Sequence, residues 1–220
     1  MPFATFFNLP FEKRDKLINC ALDEFAENDY QSASVSKIVQ RAGIAKGSLY
    51  QYFKDKSDLY FFLLESGTQA KKEIMAACMQ DCTDKPFFEV LQTLFEALGQ
   101  FEIRHPKLAR IGYRAANGKS PLPEGLMAQS KQTTRQFFAD LLKKGIARGE
   151  IRTDLNMDMA AYLLATFLAD LGNFSGIVIN EVGRSQEPVL ENQSFKNAFQ
   201  AVLDIYRNGI SSDGSSKEQK

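Results

Sequence analysis

The sequence predicts an all-α protein: an N-terminal three-helix head with a helix-turn-helix, joined by a long helix to a larger C-terminal helical body. Three observations carry this. Apolar residues recur at helical spacing along almost the whole chain, with no convincing strand pattern. The stretches between them, "DCTDKP", "HP", "NGKSPLP", "RGEIRTDLN" and "GRSQEP", are turn chemistry. And "VSKIVQRAGIAKGSLYQYFKDKSDLY", Val35–Tyr60, holds two short helical patterns around an Ala-Gly break.

Leu17, Ile18, Ala21, Leu22 and Phe25 form one stripe, so the first helix spans Pro10 to Glu27, with Pro10 suited to its first turn. Asn28 is expected to end it in a left-handed conformation. Ser32 or Ser34 caps the second helix, whose inner face is Val35, Ile38, Val39 and Ala42. Gly43 stops it, because a positive φ costs glycine nothing. A short third helix begins at Ala45 or Lys46 and ends near Phe53. Ser57 is the expected cap of a fourth helix running to Gln80, with Asp58 favoured in its first turn by the helix dipole. Further helices are expected over Pro86–Arg104, Pro106–Ala116, Pro123–Arg148, Met157–Asn180 and Asn192–Asn208. The polar tail is expected to be disordered. The expected division is a head of residues 1–56, a body of 57–210 and a tail of 211–220.

Bulk properties narrow the function. The 220 residues can bury a substantial core. Lys plus Arg and Asp plus Glu are each 27, which argues against a surface coated in nucleic acid but allows one basic patch. Ser34–Ser57 has five basic residues, Lys37, Arg41, Lys46, Lys54 and Lys56, against the single acid Asp55. That window carries +4, so the rest of the chain carries −4. No apolar run is long enough to span a bilayer, and the N-terminus does not read as a signal peptide. Three cysteines fit a reducing cytosol. Cys78 and Cys82 share a helix face, but with His105 the only histidine a closed zinc site lacks ligands. No nucleophile motif or phosphate loop is present, and neither an enzymatic role nor a cofactor is expected.

The helix-turn-helix is where chemistry concentrates. With Ile44 and Leu49 packed inward, Lys46, Gly47, Ser48, Tyr50, Gln51 and Tyr52 lie at or near the outer surface of the third helix. Such a helix enters a major groove with its N-terminal residues at the base edges. Lys46 and Ser48 then meet bases or nearby phosphates, Gly47 permits close backbone approach, and Tyr50 and Tyr52 offer hydroxyls to phosphates. Lys56 is placed where its ammonium meets another phosphate. Ser34, Ser36 and Lys37, at the start of the second helix, complete the expected DNA face. A helical adaptor without DNA binding would account for the body but not for these tyrosines and lysines.

"AGIAKGSLYQYFKDKSDLY" resembles the signature of the TetR family of transcriptional repressors, and the likeness covers Lys13 to Leu63. It includes Phe25 near the end of the first helix, the Tyr30–Val35 approach to the second, the Ala-Gly turn and the "KGSLYQYF" recognition helix. Two positions depart from the pattern: Val39 stands where the family has alanine, and Asn28 or Asp29 where it often has glycine. The resemblance implies a homodimer that binds a near-palindromic double-stranded operator and is released by a small effector. It implies dimerisation through the last two helices, with Phe167, Leu171, Phe195, Phe199 and Val202 at the interface. It implies an effector pocket in the body, for which Phe62, Phe88, Phe95, Phe101, Tyr113, Arg114, Phe137, Phe138 and Tyr162 are the candidates. The effector is unidentified, with a lean towards an apolar or amphipathic molecule.

Overall fold

The computed structural model describes residues 2–82, 84–117, 120–123, 125–171, 174 and 193–208. Their regular structure is entirely helical: α1 (Ala4–Phe7), α2 (Phe11–Glu27), α3 (Val35–Ala42), α4 (Lys46–Leu49), α5 (Lys56–Asp81), α6 (Phe87–Arg104), α7 (Pro106–Asn117), α8 (Leu126–Ala147), α9 (Met157–Ala169) and α10 (Gln193–Asn208). The expected tail and residues 175–180 of the expected penultimate helix lie outside the described residues. Among the described residues no helix is long and apolar enough to cross a membrane.

The chain divides into two compact units. One comprises Met1–Glu73 and Arg104–Gln132, the other Ile74–Ile103 and Thr133–Lys220. This differs from the sequence division after residue 56, and α7 supplies one reason. Its Ile111 and Ala115 are buried in the core of the first unit, beside Leu17, Ala21 and Phe25 of α2. Around that apolar seam Lys107 pairs with Asp23, and Arg114 donates to the Ala26 carbonyl at 3.1 Å. An apolar stripe with polar clasps on its flank commits α7 to α2.

Within the first unit each short helix is ended by identifiable chemistry. Asn28 is extended, at φ −119° and ψ 149°, and not left-handed as expected. Its backbone N–H and its side-chain amide both donate to the Glu24 carbonyl, at 3.0 and 3.1 Å, so a terminal acceptor is satisfied without a left-handed residue. Ser34 caps α3, its hydroxyl oxygen accepting from the Lys37 N–H. Gly43 is left-handed at φ 74°. Its N–H bonds the Gln40 carbonyl and the Ile44 N–H bonds that of Val39, which together make a complete Schellman motif. Val39, the departure from the family pattern, is thus the buried residue over which the turn closes.

The cap of α5 lies two residues before the expected Ser57. Asp55 Oδ1 accepts from the Asp58 N–H at 2.9 Å and from the Ser57 hydroxyl at 2.5 Å. Asp58 Oδ2 accepts the Lys54 N–H at 3.0 Å, so the two carboxylates satisfy backbone donors on both sides of the helix start. The Ser57 hydroxyl, and then the Asp58 N–H, hold the Asp55 carboxyl below the usual range. Its small contribution is therefore present above the unfolded carboxyl pKa and is lost as pH falls through the folded one.

The second unit packs the later part of α5 with α6, α9, α10 and most of α8. Its core includes Leu91, Leu94, Phe95, Phe138, Leu164 and Phe199, all at most 3% exposed. Cys78 and Cys82 are part of that core, and burial, then the neighbouring thiol, pushes the Cys78 thiol up. Asn156 caps α9 by accepting from the Met159 N–H at 3.0 Å. The Glu150 carboxylate accepts the Phe87 N–H at the start of α6, tying the loop after α8 to that helix. Gly145 makes this approach possible: a Cβ there would stand 2.8 Å from Ile151 Cγ1 and 3.2 Å from Phe87 Cδ2. Overpacking should outweigh the gain in helix propensity. Gly145→Ala is expected to cost about 1–3 kcal/mol, read as a lower urea midpoint with an unchanged m-value. A midpoint at or above that of the native protein would show that the contact yields freely.

Candidate nucleic-acid interface

The α3–turn–α4 unit sits on α2 through Ile38, Val39, Ala42, Leu49 and Phe53, which are at most 8% exposed. That packing fixes which residues remain outside. Ser36, Lys37, Lys46, Gly47, Tyr50 and Gln51 are exposed, and Ser34, Ser48 and Tyr52 are half-buried. Regular α-helix in α4 stops at Leu49, short of the expected Phe53. The chain continues as a turn in which Gln51, Tyr52 and Phe53 donate to the carbonyls of Ser48 and Leu49. Gly47 has a negative φ, and a Cβ built on it would meet nothing within 4 Å. Neither backbone conformation nor internal packing requires glycine there.

The cations of the window divide into two groups. Lys37, Lys46 and Lys54 are exposed. Arg41 turns to α2, with its guanidinium 3.9 Å from Glu24 and 3.8 Å from Glu27. Lys56 was expected to meet a phosphate. Its ammonium instead donates to the carbonyls of Tyr30, Gln31 and Ala33, at 2.7, 3.3 and 3.1 Å, and lies 4.5 Å from the centre of the Tyr30 ring. An ammonium has three donors, and all three are used. Lys56 therefore fastens the α2–α3 turn to α5, and it is withdrawn from the expected DNA face.

Glu24 is fully buried, which the sequence did not flag. Its Oε1 accepts the Ser34 N–H at 2.9 Å, while Oε2 has no hydrogen-bond partner and only the Arg41 guanidinium nearby. The carboxylate thus anchors the start of α3, the first helix of the helix-turn-helix, to α2. Glutamate inside an amphipathic helix reads as surface unless its place on the apolar stripe, three residues after Ala21, is weighed.

The structure scatters the expected effector residues. Phe62 packs edge-on to Phe6 at 5.4 Å and near Phe53 at 5.8 Å, so it is half-buried against the core of the first unit. Arg114 is drawn to the end of α2, where Asp29 lies 3.6 Å from its Nε in addition to the Ala26 carbonyl. Tyr113, its neighbour on α7, is exposed in the same unit. Phe95, Phe101 and Phe138 are buried, and the Phe95 ring lies 6.2 Å from Phe138 and 4.9 Å from Phe167. These rings fill the interior they were expected to line. Phe88 and Phe137 are half-buried, with Arg207 of α10 4.6 Å over the Phe88 ring. Tyr162 is exposed and receives the Arg135 guanidinium at 5.6 Å.

The expected partner surface is likewise redistributed. Phe199 and Leu171 are at most 1% exposed and belong to the core of the second unit, which removes them from any surface. Phe167 and Val202 are half-buried, and the Phe195 side chain lies outside the described residues. Among the described side chains of α9 and α10, Met159, Tyr162, Leu163 and Ile205 are the large apolar ones exposed, at 55%, 49%, 48% and 54%. The sequence made α9 apolar all round, and that was the available signal.

Comparisons with known proteins match both parts of the chain. Residues 17–61 fit the model described as bacterial regulatory proteins, tetR family, and residues 85–211 fit the tetracyclin repressor-like C-terminal domain. A crystal structure of a TetR family transcriptional regulator from Chloroflexus aurantiacus is 37% identical, with a TM-score of 0.77, covering 95% of this chain and 98% of that one. The HTH-type transcriptional repressor KstR2 of Mycolicibacterium smegmatis is 26% identical, covering 68% of this chain and 73% of the relative. The fatty acid metabolism regulator protein of Bacillus subtilis is 27% identical, covering 70% and 79%. With both family models matched and the helix-turn-helix built as described, this chain belongs to the TetR family and is a DNA-binding transcriptional regulator.

Proposed function

We propose that the chain reads duplex DNA with the outer face of α4 and its following turn, positioned by the start of α3. Lys46, Ser48, Tyr50 and Gln51 face the groove, with Ser36, Lys37 and Tyr52 set towards flanking phosphates. The observation that carries this reading is Gly47. A solvent-facing glycine in a helix of four residues sacrifices stability with no internal contact to explain it. Close approach of a duplex backbone explains it. The protein acts in the cytoplasm as a homodimeric repressor on a near-palindromic site, and two apolar outer faces, on α9 and α10, supply the dimer contact. A small apolar or amphipathic effector releases it from DNA. The Bacillus subtilis relative, named as a regulator of fatty acid metabolism, supports that chemical class. Effector and operator must then weaken one another's binding by the same factor. Selection of bound sequences from a randomised duplex pool tests the reading, and recovery of no preferred sequence would overturn it.

Lys46 and Lys56 should separate cleanly. Lys46→Ala is expected to leave the melting temperature unchanged and to lower the magnitude of the salt slope of DNA binding by about one if it meets a phosphate, or to relax preference at one or two base pairs if it meets a base. Lys56→Ala is expected to lower stability by about 2 kcal/mol, since charge-assisted bonds to carbonyls are lost, with no change in the salt slope of the folded fraction. A Lys56→Ala protein with native melting and a shallower slope would return Lys56 to the phosphates.

Gly47→Ala is expected to raise the melting temperature slightly, by removing up to about 1 kcal/mol of helix-propensity cost, while weakening operator binding. An alanine variant that binds as tightly as the native protein would remove the argument from close approach.

Leu163→Asp is expected to yield a folded monomer, because it charges an outer face and leaves the core intact. Phe199→Asp is expected to unfold the second unit, because it buries an unpaired charge. Sedimentation and circular dichroism distinguish the two results. A folded Leu163→Asp dimer would place the interface elsewhere.

A further inference from the structure

The residues before α2 lie against the end of the reading helix. Phe6 is 1% exposed, with its ring 4.9 Å from Phe53, 5.4 Å from Phe62 and 6.4 Å from Tyr52. Two donors flank it. The Phe3 N–H bonds the Tyr52 carbonyl at 2.8 Å, and the Thr5 hydroxyl bonds the Gln51 carbonyl. Those two acceptors lie in the turn beyond Leu49, past the Ser48 and Leu49 carbonyls that Gln51, Tyr52 and Phe53 already satisfy.

A single turn of helix has no stability of its own. The turn that follows α4 is held from within by bonds to the Ser48 and Leu49 carbonyls alone. From outside, the buried Leu49 and Phe53 side chains seat it on the core, and the Phe6 ring beneath with the Phe3 and Thr5 donors at its end fix it further. Tyr50 and Gln51, which the proposed reading sets towards DNA, stand on the same turn with their side chains exposed. A shift of this turn would move both.

We infer that the segment Phe3–Phe6 is a positioning element for DNA reading: it caps the carbonyl end of the recognition helix and sets where Tyr50 and Gln51 point. This rests on the assignment of α4 as the reading helix. The role is distinct from that of a basic arm, since Met1–Phe11 contains no lysine or arginine. It makes the segment a determinant of sequence preference without a base or phosphate contact of its own.

The two donors can be deleted without cavities. Phe3 has φ −72°, which proline adopts, and its ring is 47% exposed, so Phe3→Pro removes the N–H with little strain. Thr5→Val removes the hydroxyl at constant shape. The paired control, Phe3→Ala with Thr5→Ser, changes both side chains and keeps both donors. The probe is the duplex enriched by the native full-length protein from a randomised pool, together with its single-base-pair variants. The Phe3→Pro, Thr5→Val protein is expected to bind that duplex about tenfold more weakly, the factor for an unfastened turn that holds its reading position about a tenth of the time. It is expected to discriminate less at the positions under α4, to melt close to the native temperature, and to exchange the amides of Gln51–Phe53 faster while those of α2 stay protected. The control should match the native protein throughout. Native affinity and discrimination in the Phe3→Pro, Thr5→Val protein would overturn the inference. So would an affinity loss shared by the control, or one matched by a fall in melting temperature and faster exchange in α2. Failure of the native protein to enrich any duplex would remove the DNA reading itself, and the inference with it.

Discussion

From the first turn of α5 the Lys56 ammonium reaches back to the carbonyls of Tyr30, Gln31 and Ala33, with the Tyr30 ring 4.5 Å away. Helices of eight and four residues cannot hold themselves, so the head depends on such fastenings. The α2–α3 turn carries acceptors with no place in a helix, and a cation that collects three of them closes the turn onto the longest helix of the chain. Glu24 does the complementary work from within: it accepts the Ser34 N–H, an orphan donor at the start of α3. Glu24 and the saturated Lys56 ammonium thus hold the same loop, Lys56 along Tyr30–Ala33 and Glu24 at Ser34. Between them they set the position of α3, and α4 follows through the Gly43 turn.

Helical pattern and some caps are legible because they are local, while the end of α2 at Asn28 and the α5 cap, which is Asp55 and not Ser57, are not. The stripe of α2, the serine cap of α3 and the glycine that ends it each rest on residues a turn or so apart. So does the start of α9 near Met157, capped by Asn156. What could not be read was the destination of a side chain across the fold. Lys56 bonds carbonyls 23 to 26 residues away, and Arg114 bonds one 88 residues away. Both stand where a sequence offers only a cation on a helix. A lysine beside a recognition helix therefore reads as a phosphate ligand, and an arginine beside a tyrosine as an effector contact. The competing acceptors were backbone groups, which every sequence carries and no pattern marks.

The apolar residues failed in a different way. A helix such as α9, apolar on every face, says that it is covered on more than one side and does not say by what. Phe199 and Leu171 were placed at a partner surface and Phe95 and Phe138 at a pocket, yet all four complete the core of their own unit. The size of the second unit explains this. A unit built from parts of five helices needs several large rings to fill its interior to the usual density, and the aromatic residues at its centre are taken up by that demand. Met159, Leu163 and Ile205 remain outside because neighbours already occupy the inner positions of their helices.

Three glycines show how a structural requirement can be told from a requirement imposed by something absent from the fold. Gly43 is explained by its backbone: at φ 74° a side chain is strained. Gly145 is explained by its neighbours, since a Cβ would crowd Ile151 and Phe87. Gly47 has neither explanation, because its φ is ordinary and the space around its Cβ position is empty. It also stands between Lys46, whose charge is exposed, and Ser48, in a helix too short to tolerate a poor helix former easily. Stability alone would favour alanine at that position by up to about 1 kcal/mol. A residue that lowers stability without an internal reason points outward, to a surface completed by a partner that must come close to the main chain. For a helix-turn-helix whose remaining outward cations are Lys37, Lys46 and Lys54, the DNA reading proposed above supplies a partner that meets both conditions, close approach and negative charge.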